Sequence, residues 1–442
     1  MTLLEQFGAR VARAGLSGPV QHAARLHLAD TVGAWVAGSA TAEGRALLAL
    51  GEVGGGDLPE RVAAHCALVR LSEIDDIHLA SATTPGALVV PAALTIAAEH
   101  GGALAEAVAA GYDAMTRLGL ALNGPSILYR GIWPTYLCAP FAVAAVASRL
   151  LGLDQKQSAH ALAIALSLSS AAVGRPAGAT TSRWLAIGNA ARCGLTAALA
   201  ARAGFTGDLS LFEGDFFRSV YGLAPDPASL LDEQPALLET SFKPWCAARQ
   251  TMAAAQALRE IIEEGVPAAT MSKVSVGVPP PTLKMIDHGI VPGERASFLT
   301  SVAYQVALAA LHPDATIDVR QTPASFPEGI GDFMAKISVG ADEDLLQHYP
   351  KAWPARLVVS ASAGERERLV LHVPGDPERP FDELQVAAKF RRLVEPLVGD
   401  RASEELLHLA CAALDGGGAN ALLEALERCA ATRPVPASTM LR

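Results

Sequence analysis

Charged residues are scarce in this 442-residue sequence, at 18%, whereas hydrophobic residues make up 51%. Because an average soluble domain has roughly 25% charged residues, much of the apolar surface must be buried in large cores or between subunits, which favours an oligomer. The net charge of −10 argues against a nucleic-acid partner, since phosphate contacts need a concentrated face of lysine and arginine. Small anionic metabolites stay open as partners, because a few local cations can hold them.

Metal-binding motifs and membrane segments are also missing from the sequence. The six cysteines are scattered without a Cys-x-x-Cys pair, which disfavours a zinc or iron–sulfur site, and we expect no metal. The apolar stretches are interrupted by charges before they reach about 20 residues, so we expect no transmembrane helix. Residues 1–13 carry Glu5, Arg10 and Arg13 at helical spacing and no apolar signal core, which predicts a cytoplasmic location.

The hydrophobic pattern changes twice along the chain. Up to residue 265 apolar residues recur at three- and four-residue spacing between glycine-rich breaks, which predicts the first part of a large helical domain. Residues 266–398 mix helices with alternating strand patterns, including a hairpin-like pair after Ala355, and predict a smaller α+β domain. Residues 399–442 are again helical. The sequence therefore predicts a mainly α fold with an α+β insertion, in which the C-terminal helices return to the large domain.

The first candidate site is the segment 73–86, where two adjacent acids and a histidine stand among small and apolar residues. Asp75, Asp76 and His78 precede a Thr-Thr-Pro-Gly turn that opens a long apolar helix. Acids in such surroundings can have raised pKa values and act as a proton donor or acceptor. Asp75 and Asp76 could equally cap helices or pair with arginines. The residues alone leave both interpretations open.

Two further segments place an arginine close to the start of a helix. Residues 129–138 form an aromatic-rich loop in which Arg130 and free backbone N–H groups could hold a carboxylate. Residues 180–189 form a hydroxyl-rich turn that delivers Arg183. The alternatives are a hydrophobic connector for the first segment and a simple helix cap with a solvated arginine for the second.

The fourth segment, residues 242–252, presents cations around a proline and a tryptophan. Lys243 and Arg249 flank Trp245, although surface cations usually serve only solubility. Cys246 has no histidine or carboxylate beside it in the sequence, and a nucleophilic cysteine needs a base and a low pKa. We therefore expect an anion-binding role for the two cations and a packing role for the cysteine.

Taken in order along the chain, these segments resemble the MmgE/PrpD family, which includes 2-methylcitrate dehydratase, cis-aconitate decarboxylase and iminodisuccinate epimerase. The likeness covers essentially the whole chain, and it is the order of six motifs that makes it specific. The motifs are Asp75-Asp76-x-His78 with Pro85-Gly86-Ala87 and Pro91-Ala92-Ala93, Trp133-Pro134-Thr135 with Leu150-Leu151-Gly152-Leu153-Asp154, Ile187-Gly188-Asn189-Ala190-Ala191 with Gly204-Phe205-Thr206-Gly207, Phe242-Lys243-Pro244-Trp245, Pro350 to Arg356, and Gly375 to Pro380. The resemblance implies a large helical domain with a smaller α+β domain, a homodimer, and chemistry without a metal or an organic cofactor.

The sequence departs from the family pattern at several positions where the family has proton carriers. Thr84 stands in place of the histidine of His-Pro-Gly, Trp133 in place of the histidine of His-Pro-Thr, and Arg183 in place of a lysine. The later histidine of the family falls within 248–252, where this sequence has none. Threonine, tryptophan and arginine cannot shuttle protons near neutral pH, so more of the proton chemistry falls on the segment around His78.

The leading functional hypothesis is a cofactor-independent lyase of the dehydratase or decarboxylase type that takes the α-proton of a small carboxylate-bearing metabolite. The alternatives are an isomerase or epimerase of the iminodisuccinate type and a non-catalytic paralogue that binds a ligand or partner. The predicted catalytic residues are Asp75, Asp76, His78, Tyr136, Arg183 and Lys243. The predicted substrate-binding residues are Thr84, Arg130, Trp133, Arg249 and Thr251.

Overall fold

The structure, a computed structural model, describes residues 1–13, 15–54, 56–170, 180–291, 294–321, 327–416 and 418–431. Within these residues the protein is mainly helical and has one small four-stranded sheet, which confirms the predicted fold class. Of the C-terminal segment predicted to be helical, residues 432–442 lie outside the described part. No helix in the described ranges has both the length and the apolar character needed to cross a membrane.

The described residues contain helices in both parts of the chain and strands only in the second part. In chain order the helices are α1 Leu3–Ala12, α2 Gly18–Ser39, α3 Ala42–Gly54, α4 Leu58–Arg70, α5 Gly86–His100, α6 Leu104–Ala121, α7 Gly124–Leu128, α8 Pro134–Leu150, α9 Gln155–Ser167, α10 Ser182–Arg202, α11 Phe216–Tyr221, α12 Pro227–Leu231, α13 Arg249–Glu263, α14 Pro280–Ile286, α15 Arg295–Thr300, α16 Val302–Leu311, α17 Ile330–Met334, α18 Glu383–Val398, α19 Asp400–Ala412 and α20 Ala419–Ala431. The strands are β1 Met271–Val278, β2 Ile337–Ala341, β3 Ala355–Ala361 and β4 Gly364–Val370.

The described residues form two compact units. The first comprises those within 1–175, 181–240 and 382–442, and the second comprises those within 176–180 and 241–381. Helix α13 lies in the second unit and α18 in the first, so each unit boundary differs by one helix from the domain bounds predicted at 265 and 398. Helical periodicity shows that α13 has an apolar face, but it carries no information about whether a sheet or other helices will cover that face.

The first unit has α8 at its centre, with every residue from Pro134 to Leu150 buried except Arg149. Small residues allow the neighbouring helices to approach closely. A Cβ atom added at Gly194 in α10 would lie 2.5 Å from the carbonyl oxygen of Pro140 in α8. The alanine- and glycine-rich composition therefore contributes directly to the helix packing, because larger side chains would not fit between these backbones.

The second unit is built on a sheet with the strand order β2-β1-β3-β4. Strands β1 and β2 are parallel, whereas β1–β3 and β3–β4 are antiparallel. Val274, Val276 and Val278 alternate with more exposed residues along β1 and join the apolar core with α13 and α16. The predicted hairpin is confirmed as β3–β4. Strand β4 begins at Gly364, and the charged residues that follow Gly364 hide the apolar alternation by which a strand is recognised in the sequence.

A mostly buried histidine in the first unit makes the stability of the fold depend on pH. The Nδ1 atom of His65 in α4 lies 2.8 Å from Thr95 Oγ1, and the ring packs on Trp35 with 4.6 Å between centroids. Burial, followed by the charge of Arg61, lowers the pKa of His65 from 6.5 to about 3. The folded state therefore binds this proton less tightly than the unfolded chain, so stability is lost as pH falls below about 6.5.

We expect His65→Gln to reduce the loss of stability under acid conditions. Between pH 6 and pH 4.5 the wild type should lose up to about 1.4 kcal/mol more per pH unit than the variant, since glutamine can keep the contact with Thr95 but does not titrate. Urea unfolding at several pH values measures this slope. His22→Gln is the matched control, because the side chain of His22 is 52% exposed. An acid slope in His65→Gln equal to that of the wild type would contradict the prediction.

Candidate active site

The loop between α4 and α5 contains the segment singled out from the sequence, and its backbone is held in an unusual conformation. Glu73 and Ala82 have φ angles of +59° and +53°, a left-handed conformation that side chains other than glycine rarely adopt. Such residues cost about 1–3 kcal/mol each and persist only where surrounding contacts impose them, often at functional sites. An antiparallel bridge between His78 and Thr83, with His78 N–H donating to Thr83 O at 2.8 Å, closes the turn between them.

Asp76 is fully buried and accepts three hydrogen bonds. The donors are the backbone N–H of Gly86 at 2.7 Å, the hydroxyl of Tyr112 at 2.5 Å and Nδ1 of His27 at 2.8 Å. Burial, and then the charge of Asp76, raises the pKa of Tyr112 well above its ordinary value, so the phenol keeps its proton and remains a donor. Asp76 thus joins the start of α5 to α6 and α2. The geometry favours the capping interpretation for this residue.

The contact between Asp76 and the start of α5 requires glycine at position 86. A Cβ atom added at Gly86 would lie 2.7 Å from each carboxylate oxygen of Asp76. We expect Gly86→Ala to lower the free energy of unfolding by about 1–3 kcal/mol, because a well-packed buried site resists added atoms. Gly18→Ala is a matched control, since Gly18 begins α2 and its added Cβ would meet nothing within 4 Å. Equal unfolding midpoints for the two variants would refute the prediction.

A buried ion pair fixes the backbone just before Asp75. Lys389 on α18 places Nζ 2.5 Å from Asp30 Oδ1 on α2 and 3.1 Å from the carbonyl oxygen of Ile74. Burial raises the pKa of Asp30, and the charge of Lys389 opposes that effect. Both side chains are almost completely buried, so this pair connects α2, α18 and the loop inside the first unit.

Asp75 is part of a row of alternating charges. The NH1 group of Arg70 lies 3.3 Å from Asp75 Oδ1 and 3.0 Å from Glu73. Glu73 in turn accepts from Arg183 at 3.1 Å. Burial alone would lower the pKa of Arg70, but the carboxylates of Asp75 and Glu73 raise it above its ordinary value. The row therefore holds two arginines at one side of the loop.

Arg183 is grouped with two other residues predicted from the sequence. Its guanidinium carbon lies 5.1 Å from the ring centre of Trp133 and 4.3 Å from that of Trp184, within the range of cation–π contacts. The buried Tyr136 hydroxyl donates to the carbonyl oxygen of Arg183 at 3.0 Å. Trp133 therefore packs against Arg183.

Thr84 is hydrogen-bonded to the start of α8. Its backbone N–H donates to Thr135 Oγ1 at 3.1 Å, and the two hydroxyl oxygens are 3.3 Å apart. Because Thr135 lies at the start of α8 beside Tyr136, these bonds connect the loop before α5 to the group around Arg183. Four of the predicted substrate-binding or catalytic residues, Thr84, Trp133, Tyr136 and Arg183, are thereby brought together within the first unit.

His78 is buried, and contacts with Ser81 hold its Nδ1 atom. Nδ1 lies 2.9 Å from Ser81 Oγ and 3.3 Å from the backbone N–H of Ser81. The hydroxyl of Ser81 also lies 2.7 Å from Thr83 Oγ1. The other nitrogen, Nε2, faces Glu239 Oε2 at 3.7 Å. The ring is therefore fixed by its own turn on one side and opposed by a half-exposed carboxylate on the other.

Glu239, Arg117 and Ser81 were not identified from the sequence. Arg117 on α6 is 1% exposed, and it lies 3.3 Å from Glu239 and 3.0 Å from Asp232. The neighbouring His78, 3.7 Å away, lowers the pKa of Glu239, burial opposes this effect, and the charge of Arg117 adds to it. Of these three residues, only Ser81 could have been suspected from the sequence, because it lies three residues after His78 in a short polar turn. Glu239 is distant in sequence and follows no motif.

Arg130 has a different environment from the other predicted residues of the first unit. Its side chain is exposed, and its NH2 group donates to the carbonyl oxygen of Tyr221 in α11 at 3.1 Å. This bond connects the loop before α8 to α11. The described contacts do not join Arg130 to the row of charges on the α4–α5 loop.

The remaining predicted residues belong to the second unit and are buried there. Arg249 donates to Asp376 Oδ2 at 2.6 Å, and both side chains are completely enclosed. The hydroxyl of Thr251 donates to the carbonyl oxygen of Ala248 at 2.9 Å, within the first turn of α13. Lys243 is 2% exposed. Arg249 and Thr251 therefore have structural partners inside this unit.

The fold and these groups define a class: a mainly helical protein with an added α+β unit and a candidate site of buried acids, hydroxyls, arginines and a histidine. Among the described residues no group of three histidine, cysteine or acidic side chains is arranged to hold a metal ion. The chain belongs to the MmgE/PrpD family, because its N-terminal domain model matches residues 3–222 and its C-terminal domain model matches residues 245–413. The family includes dehydratases and related enzymes. A search of curated proteins found no match.

Proposed function

We propose that this protein is a cofactor-independent lyase that removes the α-proton of a small carboxylate-bearing metabolite. The observation that carries the proposal is the arrangement around His78, which is fixed through Nδ1 while Nε2 points to the half-exposed Glu239. An imidazole held in this way suits proton transfer near neutral pH. The membership of a family with dehydratases supports the same class of reaction.

In the proposed mechanism His78 is the base. For Nε2 to act as the base, Nδ1 must carry the ring proton and donate it to Ser81 Oγ at 2.9 Å, in place of accepting from the backbone N–H of Ser81 at 3.3 Å. Nε2 then takes the α-proton, and the electron pair left on the substrate carbon is delocalised into the adjacent carboxylate. In the dehydratase form this pair makes the new carbon–carbon double bond while the β-hydroxyl group accepts a proton and departs as water.

The developing negative charge needs a fixed cation. We assign this role to Arg183, whose side chain is 11% exposed and is oriented by Glu73 and the two tryptophan rings. Preorganised donors of this kind stabilise enolate-like charge without reorganising during the reaction. Tyr136 is the proposed proton donor for the leaving group, and it would turn its hydroxyl from the carbonyl oxygen of Arg183 to do so.

Asp76 serves as a framework residue in this proposal. Its carboxylate already accepts from a backbone amide, a phenol and an imidazole, so it holds the loop rather than the migrating proton. Lys243, Arg249 and Thr251 stay predicted site residues of the second unit. The homodimer and the cytoplasmic location also stay predictions.

The proposed function is tested by proton exchange in heavy water. The purified protein is incubated with citrate, 2-methylcitrate, cis-aconitate and bulkier hydroxy and keto acids, and proton NMR follows the α-proton and any alkene signal. A dehydratase removes the α-proton and produces an alkene, whereas an epimerase exchanges the α-proton without producing one. If no member of the panel exchanges a proton or stabilises the protein against heat, the proposal fails and the binding-protein alternative is favoured.

A further inference from the structure

The carboxylate of Glu73 lies between two arginines of the first unit. Its Oε1 atom is 3.1 Å from Arg183 Nη2, and its Oε2 atom is 3.0 Å from Arg70 Nη1. The three side chains are only 8% to 11% exposed. Each oxygen of the carboxylate therefore has its own guanidinium partner, through charge-assisted hydrogen bonds of the kind by which arginines hold carboxylate ligands.

The backbone at Glu73 also indicates that these contacts are imposed by the fold. Its φ angle of +59° is left-handed, a conformation that glutamate rarely adopts. Such a conformation persists where surrounding contacts impose it, and the two arginine contacts are of that kind. The loop therefore holds the Glu73 carboxylate at this position in spite of the unfavourable backbone conformation.

The charges around Arg183 cancel. The row of alternating charges on the α4–α5 loop contains two acids and two arginines, so its formal charge is zero. Other groups described beside Arg183 are neutral, namely the rings of Trp133 and Trp184 and the hydroxyl of Tyr136. A guanidinium group has five N–H donors, so Arg183 can hold Glu73 and one further carboxylate. A second substrate carboxylate between the two arginines would meet the negative charge of Glu73.

We propose that Glu73 is a specificity-determining residue whose carboxylate fills an anion subsite between Arg70 and Arg183, so that the substrate is a β-hydroxy monocarboxylate with an uncharged remainder. This inference rests on the proposed function, in which Arg183 holds the one carboxylate of the substrate. The aromatic rings beside Arg183 suit an uncharged remainder, because they offer apolar surface. Tricarboxylates of the citrate type are then poor ligands.

The first test needs no substrate and uses acetate as the probe. Glu73→Gly removes the carboxylate from between the arginines and keeps the backbone, because glycine adopts a positive φ readily. Acetate should bind at the position left by the carboxylate and raise the unfolding temperature of this variant in a saturable way. Its apparent affinity should be at least about tenfold higher than for the wild type, which corresponds to one charge-assisted hydrogen bond. Sodium chloride at the same concentration corrects for ionic strength.

Ala82→Gly is the matched control for effects of the backbone. Ala82 has a φ angle of +53° in the same loop, so its replacement relieves a similar conformation and removes no charge. The response of this variant to acetate should equal that of the wild type. An acetate affinity of Glu73→Gly equal to that of the wild type would overturn the inference.

The second test compares 3-hydroxybutyrate with malate by isothermal titration. Both acids have an α-proton and a β-hydroxyl group, and malate has a second carboxylate where 3-hydroxybutyrate has a methyl group. The wild type should bind 3-hydroxybutyrate more tightly. Glu73→Gln keeps the length of the side chain and gives the row a net positive charge, so the ratio of the two Kd values should move toward malate by about tenfold or more. Because glutamine still fills the space, Glu73→Gln should not gain the acetate affinity of Glu73→Gly.

The outcomes separate this inference from the proposed function. If the wild type binds malate more tightly, or if Glu73→Gln leaves the ratio unchanged, the inference is overturned, and α-proton exchange of malate or a tricarboxylate would leave the proposed function in place. If Glu73→Gly gains acetate affinity and the wild type prefers 3-hydroxybutyrate but exchanges no α-proton of any acid, the inference is supported as a ligand preference and the proposed reaction is overturned. If neither hydroxy acid binds, the response of Glu73→Gly to acetate decides.

Discussion

His78→Asn is expected to lower the rate of α-proton exchange by about 10²-fold or more, while the protein remains folded. The asparagine amide oxygen can take the place of Nδ1 and accept from the backbone N–H of Ser81, which lies 3.3 Å from Nδ1 in the wild type. The variant therefore keeps the turn but has no atom at the position of Nε2. Because proton removal is the first chemical step proposed, the loss should appear in kcat rather than in KM.

The control for this variant is His22→Asn, which changes an exposed histidine of α2 in the same way. Proton NMR in heavy water measures exchange for both variants and for the wild type, and thermal unfolding shows whether each is folded. Wild-type exchange in a folded His78→Asn would show that another group is the base. Asp75 would then become the leading candidate for the base, since its carboxylate is fully buried and lies beside Arg70.

Much of the architecture could be predicted from the sequence because its signals are local. Helical spacing of apolar residues and the strand alternation of Val274, Val276 and Val278 indicated a helical part and an α+β part, and both are present. The Thr-Thr-Pro-Gly turn predicted that a helix would begin there, and α5 begins at Gly86. The capping role left open for Asp76 agrees with its contact to the backbone N–H of Gly86.

The partners of these residues could not be predicted in the same way. Tyr112 is 36 positions from Asp76 and His27 is 49 positions from it, each on a helix whose rotation about its own axis decides what it faces. Lys389 lies 315 positions from Ile74 and reaches it only because α18 returns to the first unit. Periodicity gives the apolar face of a helix, but a buried polar contact depends on how several helices pack together.

The site was predicted only in part for a related reason. Four candidate segments were recognised from residue types near helix starts, and the structure groups Thr84, Trp133, Tyr136 and Arg183 within the first unit. The sequence could not show that Glu73 carries the connection from Arg70 to Arg183. A single glutamate in a loop has no pattern that separates an ion-pair partner from a solvated side chain.

The second large expected effect concerns the ion pair between Lys389 and Asp30, which contacts the loop between α4 and α5 at Ile74. Lys389→Met should lower the free energy of unfolding by about 3–5 kcal/mol, because it leaves Asp30 buried without its cation and removes the donor to the Ile74 carbonyl oxygen. Lys156→Met is the matched control, since Lys156 is an exposed residue of α9. Urea unfolding at pH 7 measures both changes.

The loss in Lys389→Met should also depend on pH, with a sign that follows from Asp30. Burial already raises the pKa of Asp30 in the folded protein, and removal of Lys389 takes away the charge that opposes this. A raised carboxyl pKa means that the folded state binds the proton more tightly than the unfolded chain, for which the value is about 3.9. The stability of the variant should therefore fall as pH rises above about 4, and its deficit relative to the wild type should be larger at pH 8 than at pH 5. Asp30→Asn combined with Lys389→Met should recover part of the loss at pH 8, since no buried charge is left. A deficit that is equal at both pH values, or a double variant as unstable as Lys389→Met alone, would show that packing rather than the ion pair holds α18 against the loop.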